Sequence, residues 1–356
     1  MIMNKKCILT SLLVTLFWNS YSFTLAEDAD YQIADSSKIP EILSMLASVT
    51  ESNYNKIKTW EGRIINQEII TLRGQQAADC LKMSTDTEPN NLPSEIQRII
   101  AKSIAYKIDV ENNRFFRLSD YTAPPSYLDP KSNIVYPLHW GSGESIFIDT
   151  PGHQIEISPL SETKDRAILS RIATKNRAGA VRITDPRKTF YIGEKTLWLS
   201  LSQISQMLQI PNIEKYGIVI KEKDKGGLIT YRIELSDPGK DRPFSVVVLN
   251  AEAGFNRTYI ENRYDNGSLM SKTITDFVTV QGIFLPQKWE MSQYFPDGGL
   301  MRQEVCIIQE QQINTFIPEG IFSEFTYLKD GDSYRDTIRN KTYDIKAGNL
   351  VEKTKK

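Results

Sequence analysis

The amino-acid sequence predicts a mainly antiparallel β protein with a smaller helical part, which is an α+β fold. From Tyr216 onward, short apolar segments recur at intervals of about ten residues and are separated by Gly-rich turns. The clearest turn is Asp265-Asn266-Gly267, because an Asn-Gly pair readily adopts the positive backbone angles of a tight hairpin. Helices and strands do not alternate regularly, which disfavours a doubly wound parallel sheet.

A first helix is predicted near Pro40. Ser36 and Ser37 can accept hydrogen bonds from the free amide groups of its first turn, and Pro40 fits that turn. Apolar residues then recur at helical spacing from Ile39 to Val49. This pattern is typical of an amphipathic helix of about four turns.

The apolar spacing of the remaining segments predicts strands, further helices and one polar loop. The strands are expected over 59–72, 114–118, 145–149, 154–158, 180–184, 189–193, 217–222, 228–235, 244–249, 257–264, 268–277, 285–294 and 301–309. The loop is expected over 74–93, and the helices are expected over 93–105, 165–174 and 202–208.

Residues 1–26 have the composition of a cleavable secretory signal. Lys5 and Lys6 precede an apolar stretch that ends before Asn19, and small residues then lead to Ala26. The alternative is a membrane anchor, which needs about 20 apolar residues in succession. We therefore expect an exported, periplasmic protein whose mature chain, 27–356, forms a single domain.

The charge balance gives no global attraction to nucleic acid. Loss of the two lysines of the signal shifts the formal net charge from −1 to −3. One segment, 164–188, is locally basic and is either a solvated surface or a rim that meets lipid phosphates or an acidic partner. Its basic residues are Lys164, Arg166, Arg171, Lys175, Arg177, Arg182, Arg187 and Lys188.

Residues suited to catalysis or metal binding are scarce. The two histidines are His139 and His153, and no recognised catalytic motif accompanies them. We expect no enzymatic activity, no metal and no cofactor; a hydrolase that uses one histidine is the less favoured alternative.

Cys80 and Cys306 could form a disulfide in an exported protein, but their spacing does not require one. Asp330-Gly331-Asp332 is expected to be a turn.

A set of large apolar side chains falls on the first helix and on predicted strands or their edges. If helices cover the concave side of a curved sheet, these side chains line either a packed core or a lipid pocket. The set consists of Leu43, Leu46, Trp60, Ile64, Phe116, Ile146, Ile148, Trp198 and Trp289.

The order of several short motifs resembles the periplasmic outer-membrane lipoprotein carrier and lipoprotein-sorting family, the LolA-like proteins. The motifs are Trp60-Glu61-Gly62-Arg63, Arg114-Phe115-Phe116-Arg117, Glu144 to Asp149, Tyr264 to Gly267, Leu285-Pro286 with Trp289, Asp297-Gly298-Gly299, Ile317-Pro318 and Asp330-Gly331. They cover roughly two thirds of the mature chain. This chain is longer than a typical carrier, and the excess predicts an insertion around 73–188.

The resemblance implies an unclosed β-barrel with helices covering its concave face, and an apolar cavity that receives a lipid or a lipoprotein acyl chain. It implies transfer between membrane partners without covalent chemistry. It also implies an arginine that holds the helical lid, for which Arg63, Arg114 and Arg117 are candidates. An envelope sensor, regulatory subunit or protein-contact scaffold with the same fold is the alternative function.

Overall fold

The computed structural model describes residues 31–84, 93–137, 144–151, 153–159, 166–172, 217–237, 239, 242–336 and 339–353. The predicted signal at 1–26, the predicted strands at 180–184 and 189–193 and the predicted helix at 202–208 lie outside these residues.

The described residues form two α-helices, four short 3-10 helices and 18 strands. Helix α1 is Ile39–Asn55 and helix α2 is Gln75–Ser84. The 3-10 helices are Ser36–Lys38, Ala251–Ala253, Glu319–Phe322 and Glu324–Thr326. In chain order, strands β1 to β18 are Gln32–Ile33, Thr59–Arg73, Glu95–Asp109, Arg114–Leu128, Val135–Pro137, Ser145–Thr150, His153–Pro159, Arg166–Ile172, Gly217–Lys225, Leu228–Ser236, Ser245–Asn250, Asn256–Arg263, Leu269–Val280, Ile283–Tyr294, Leu300–Ile313, Ser333–Asp336, Lys341–Lys346 and Asn349–Glu352.

All of these strands belong to one curved sheet. Their order across it is β1, β9, β10, β11, β12, β13, β14, β15, β2, β3, β4, β6, β7, β8, β16, β17 and β18, and β5 also pairs with β4. Every pair is antiparallel except β8 with β16. Within the described residues, β1 and β18 each have one partner strand, so the sheet is open at both ends. The predicted fold class is confirmed.

Helix α1 forms where the sequence predicts it, with a different cap. The side chain of Asp35 accepts a hydrogen bond from the backbone N–H of Ser37 at 3.0 Å, and the short 3-10 helix leads directly into α1. Leu43 and Leu46 of α1 are buried in an apolar cluster with residues of β9, β10 and β11. The side of the sheet that α1 covers is the inner face, and the opposite side is the outer face.

The strand register shows which residues in the middle of the sheet lie on the same face as the residues beneath α1. Because side chains alternate between faces along a strand, residues directly opposite one another on neighbouring strands share a face. One such row crosses nine strands as Ile220, Ile233, Val247, Ile260, Thr273, Met291, Glu304, Glu68 and Ile100. The helix-covered residues and the carboxylates of Glu304 and Glu68 therefore share the inner face.

The helix predicted over 93–105 is wrong, because this segment is the strand β3. Ile96, Ile100 and Ile104 are spaced by four residues, which fits one side of a strand as well as one face of a helix. Pairing with β2 extends over all 15 residues of β3, and β4 covers its other edge. β-branched isoleucines suit that paired environment.

Two other expectations between residues 74 and 174 are also wrong. The predicted loop contains α2, whose Ala77 and Leu81 pack against Ile96 and Tyr127. Few apolar residues mark this helix, so its stability comes from tertiary packing rather than from its own sequence. The predicted helix over 165–174 is the strand β8, which pairs with β7 and with the distant β16.

The hairpins of the second half are confirmed. At Asp265-Asn266-Gly267, the backbone of Tyr264 donates to the carbonyl of Ser268 at 2.9 Å, and Gly267 has a φ of 81°. The strand predicted at 114–118 is also present and continues to Leu128. Neither helix of the described chain has the length and apolar character of a membrane-spanning segment.

The outer face has a hydrophobic core of its own. The segment after β15 lies on the strands β4, β6 and β7, where Phe116 stacks on Tyr327 with ring centroids 5.4 Å apart. Phe115, the preceding residue, is instead buried on the inner face in a cluster with Trp60 and Trp289. Two adjacent phenylalanines are therefore buried on opposite sides of one strand. This sheet is therefore covered on both faces in this region.

Candidate functional site on the inner face

The structure distributes the predicted cavity residues over three separate clusters. Leu43 and Leu46 lie beneath α1, in the helix layer, whose other buried members are Ile220, Tyr231, Ile233 and Leu249. Trp60, Ile64 and Trp289 belong to the inner core in the middle of the sheet. Phe116, Ile146 and Ile148 lie in the core of the outer face, so they share no cavity with the first two groups. Trp198 lies outside the described residues.

The inner core is tightly packed. Trp60 is fully buried and meets the ring of Tyr106 edge to face, with centroids 5.2 Å apart. Its indole Nε1 donates to Oε1 of Gln311 at 3.2 Å, so the one polar atom of the ring is satisfied. Fourteen residues of this cluster are buried and five are half-buried. Side chains already fill this part of the inner face.

The helix layer is less completely covered. Only six of its apolar residues are buried, whereas eight more are half-buried against them. Three of the half-buried residues, Ile39, Ile42 and Met45, belong to α1 itself. A larger share of the apolar surface of the helix layer therefore remains accessible than in the inner core.

Two polar side chains fasten the C-terminal end of α1 to the sheet. The Asn53 side chain accepts from the backbone N–H of Phe284 at 2.9 Å and donates to the carbonyl of the same residue at 3.0 Å. The hydroxyl of Tyr54 donates to Oδ1 of Asn256 at 3.0 Å. These hydrogen bonds hold one end of the helix, while its contacts with β9 to β11 are apolar.

The three arginines predicted to hold the lid lie elsewhere. Arg63 pairs with Glu310 at 3.7 Å on the exposed outer face. Arg114 pairs with Asp109 at 2.5 Å, and its guanidinium lies 4.6 Å from the centre of the Phe322 ring. Arg114 thereby attaches the C-terminal segment to the outer face. Arg117 lies on the inner face, opposite Tyr106 of β3 in the strand register.

Arg257 is an arginine beside α1 that the sequence analysis missed. It follows the partner of Tyr54, Asn256, at a bulge in the pairing of β11 with β12. Burial lowers the pKa of Arg257 to about 10, and the neighbouring Tyr54 opposes this shift. No signal in the sequence separates Arg257 from the other basic residues that alternate along the strands.

A buried ionic network occupies the inner face next to the inner core. Arg302 lies 2.6 Å from the carboxylate of Glu68 and 3.0 Å from that of Glu304. Asn66 donates to Glu304 at 2.8 Å and also contacts the thiol of Cys306 at 2.9 Å. Burial raises the pKa of Glu304 to about 7; the negative charge of Glu68 adds to this shift, whereas Arg302 opposes it.

The raised pKa of Glu304 makes stability depend on pH. The folded protein holds this proton up to about pH 7, and the unfolded chain releases it near the ordinary value of 4.5. The free energy of unfolding is therefore expected to fall between pH 4.5 and 7, by at most about 3 kcal/mol. Glu304→Gln should abolish this decline and should be the more stable protein at pH 8, as measured by urea unfolding across the pH range.

The control is Glu310→Gln, an exposed glutamate on the same strand. Its unfolding profile is expected to follow that of the wild type. A Glu304→Gln variant that loses stability at pH 8 would mean that the pair with Arg302 outweighs the burial of the carboxylate.

The remaining candidate residues are placed as follows. His153 opens β7 opposite Thr150, and His139 lies outside the described residues. Cys80 and Cys306 are free thiols, and burial raises the pKa of the latter. Within the described residues, no three Cys, His, Asp or Glu side chains are grouped as metal ligands.

Three solved structures are similar to this chain at low sequence identity. A DUF1329 family protein from Desulfovibrio piger is 10% identical, with a TM-score of 0.34 over 81% of this chain and 98% of its own. A LolA superfamily protein from Nitrosomonas europaea is 11% identical, with a TM-score of 0.33 over 80% of this chain and 99% of its own. A protein domain from Vibrio parahaemolyticus, named for outer membrane lipoprotein sorting, is 11% identical, with a TM-score of 0.36 over 80% of this chain and 98% of its own.

Two of these three proteins carry the name of the family that the sequence resembles. No protein-family model matches the chain, and no curated protein matches it. TM-scores this low do not carry a function from one protein to another, since function resides in sites rather than in folds.

Proposed function

We propose that this chain is an exported binding protein that holds a lipid or lipoprotein acyl chain on the inner face beneath α1. The protein binds and releases the acyl chain without a chemical step. The observation that supports this function is the incomplete burial of the helix layer, where eight half-buried apolar residues surround six buried ones.

The free energy gained by burying an acyl chain in the helix layer exceeds the free energy needed to displace α1. Burying one methylene group contributes about 0.8 kcal/mol, so a chain of about 15 such groups contributes about 12 kcal/mol before ordering costs. Displacing α1 breaks the two hydrogen bonds of Asn53 and that of Tyr54, which contribute about 1 kcal/mol each. It also exposes Leu43 and Leu46, at about 1.5–3 kcal/mol each. An acyl chain can therefore offset the displacement of α1. The inner core offers no comparable surface, because its side chains already contact one another.

The wild-type protein is expected to bind a fluorescent fatty-acid probe saturably, and unlabelled lipid should compete. Leu43→Trp should weaken probe binding by about tenfold, since a loss of 1.4 kcal/mol has that effect and an indole overfills the layer. Fluorescence titration measures the binding, and circular dichroism verifies the fold.

The matched control is Ser48→Trp on the same helix. Ser48 is exposed and lies on the side of the helix opposite Leu43 and Leu46, so its replacement adds the same indole on the solvent side of α1. This variant is expected to bind the probe as the wild type does. A well-folded wild type that binds no probe would remove the carrier function.

A second candidate function is a scaffold for contacts with another envelope protein. Two exposed aromatic residues of the C-terminal segment, Phe316 and Phe325, favour it, because exposed aromatic rings are common at protein interfaces. The probe titration distinguishes the two functions, since a scaffold of this kind does not bind an acyl chain.

A further inference from the structure

Three cations follow one another along the inner face, next to the ionic network, and the strand register places Lys102 about midway between Arg98 and Arg117. Arg98 and Lys102 are on β3, and Arg117 is on β4. The register places Lys102 between Asn66 of β2 and Tyr121 of β4, and Arg117 between Tyr106 and Phe147. The three residues, here called the cation patch, therefore share a face with Glu68 and Glu304.

The cation patch has no anionic partner in the described part of the chain. The buried Nε atoms of Arg98 and Arg117 have no hydrogen-bond partner there. Two of the three charged groups lie near aromatic rings instead. Lys102 Nζ is 4.9 Å from the centre of the Tyr121 ring, and the Arg117 guanidinium is 5.5 Å from that of Phe147.

The carboxylates of the neighbouring network, those of Glu68 and Glu304, form their ion pairs with Arg302 rather than with the patch. The carboxylate of Glu156 on β7 is exposed, and its negative charge opposes the lowering of the pKa of Arg117 by burial. Burial lowers the pKa of Lys102, and the positive charges of Arg117 and Arg98 lower it further, against the opposing charges of Glu68 and Glu304.

Unpaired buried charge is costly, and folded proteins ordinarily pair it. Arg98, Lys102 and Arg117 are half-buried, and the Nε atoms of the two arginines are buried. None of the three forms an ion pair within the described residues, which indicates a site whose anion comes from outside the chain. Arginine suits a phosphate group in particular, since its planar guanidinium donates two parallel hydrogen bonds to phosphate oxygens. Apolar residues flank the patch, with Ile96 and Tyr127 toward α2 and Ile104 toward the inner core.

We propose that Arg98, Lys102 and Arg117 form a binding site for a phosphate group, and that this group is the head of an amphiphile whose acyl chain lies along the inner face. The second part rests on the function proposed above, whereas the first part stands without it. The same chemistry could be met by free inorganic phosphate, so the test separates the two sources.

The experiment is calorimetric titration of the full-length mature protein with three probes. They are lysophosphatidic acid, the uncharged monoacylglycerol with the same acyl chain, and inorganic phosphate. Wild type is expected to bind lysophosphatidic acid at least about tenfold more tightly than monoacylglycerol, because charge-assisted hydrogen bonds favour the phosphate. The double variant Lys102→Gln/Arg117→Gln should bind both lipids equally, and Arg63→Gln on the outer face should behave as wild type.

The melting temperature of the protein without ligand provides a second test of the anion site. If the patch serves a ligand, Arg117→Gln removes an unpaired buried charge and its melting temperature should equal or exceed that of the wild type. A structural role predicts a lower melting temperature, and that result, with unchanged lipid selectivity, would overturn the proposal.

The remaining outcomes separate the two proposals. Tight binding of inorganic phosphate without binding of either lipid would keep the anion site and remove the acyl-chain function. Equal binding of both lipids by the wild type, without binding of phosphate, would keep the acyl-chain function and refute the anion site.

Discussion

Replacement of Trp60 by alanine is expected to lower the free energy of unfolding by about 3–5 kcal/mol, the range measured for large aromatic residues removed from protein cores. Trp60 has no exposed surface, contacts Tyr106 edge to face and donates a hydrogen bond to Gln311. Its removal leaves a cavity in the inner core and an unpaired amide oxygen on Gln311. Urea unfolding followed by circular dichroism measures the change.

The control for this variant is Phe316→Ala. Phe316 is 87% exposed, so its truncation should change the free energy of unfolding by no more than about 0.5 kcal/mol. A Trp60→Ala protein as stable as this control would mean that the inner core is an open cavity rather than packed side chains. The position of an acyl chain would then have to be moved from the helix layer to Trp60.

Replacement of Asn53 by alanine is expected to cost about 2–6 kcal/mol, since it leaves two backbone groups without a partner and each such group costs about 1–3 kcal/mol when buried. The Asn53 amide satisfies both the N–H and the carbonyl of Phe284, and it is buried between α1 and β14. Its loss should also let the end of α1 separate from the sheet more often. Hydrogen exchange of the Phe284 amide should accelerate, and urea unfolding reports the loss of stability.

Asn55→Ala is the matched control, because Asn55 lies on the same helix and is exposed. Alanine there should leave both the stability and the exchange rate of Phe284 close to those of the wild type. Unchanged protection of Phe284 in Asn53→Ala would show that apolar packing alone holds α1, and the displacement of α1 by an acyl chain would then need a larger opening energy.

The two variants test different parts of the same face. Trp60 belongs to the inner core, which is already filled, and Asn53 controls access to the helix layer, which is not. The carrier function requires that the helix layer opens while the inner core stays packed. Faster probe association in Asn53→Ala, without a change for Phe316→Ala, is the pattern expected of a displaceable lid.

Elements whose conformation depends on near neighbours in the chain can be predicted from the amino-acid sequence. The hairpin at Asp265-Asn266-Gly267 follows from turn chemistry, and the strands around it follow from an alternation of period two. Helix α1 follows from apolar spacing that a strand does not satisfy. The motif order that resembles the lipoprotein carriers depends on the same local signals, and the fold class was therefore correct before any long-range contact was known.

The face of the sheet on which each buried residue lies depends on pairing between strands that are distant in the chain. Ile96, Ile100 and Ile104 fit a helix or a strand equally, and the pairing of β3 with β2 settled the choice. Phe116 is as apolar as Trp60, but the register sends it to the outer face. Local periodicity predicts that a side chain is buried, but it does not predict which residues that side chain contacts.

The same holds for charge. Arg302 and Arg117 are both basic residues on strands, and the sequence does not separate them. Pairing of β15 with β2 brings Arg302 to Glu68, and pairing of β4 with β3 leaves Arg117 without a carboxylate at hydrogen-bond distance in the described part of the chain. Electrostatic interactions depend on distance in space rather than on separation in the chain. Cross-strand neighbours that are far apart in the chain therefore determine whether a charged side chain is paired within the fold or can bind a ligand.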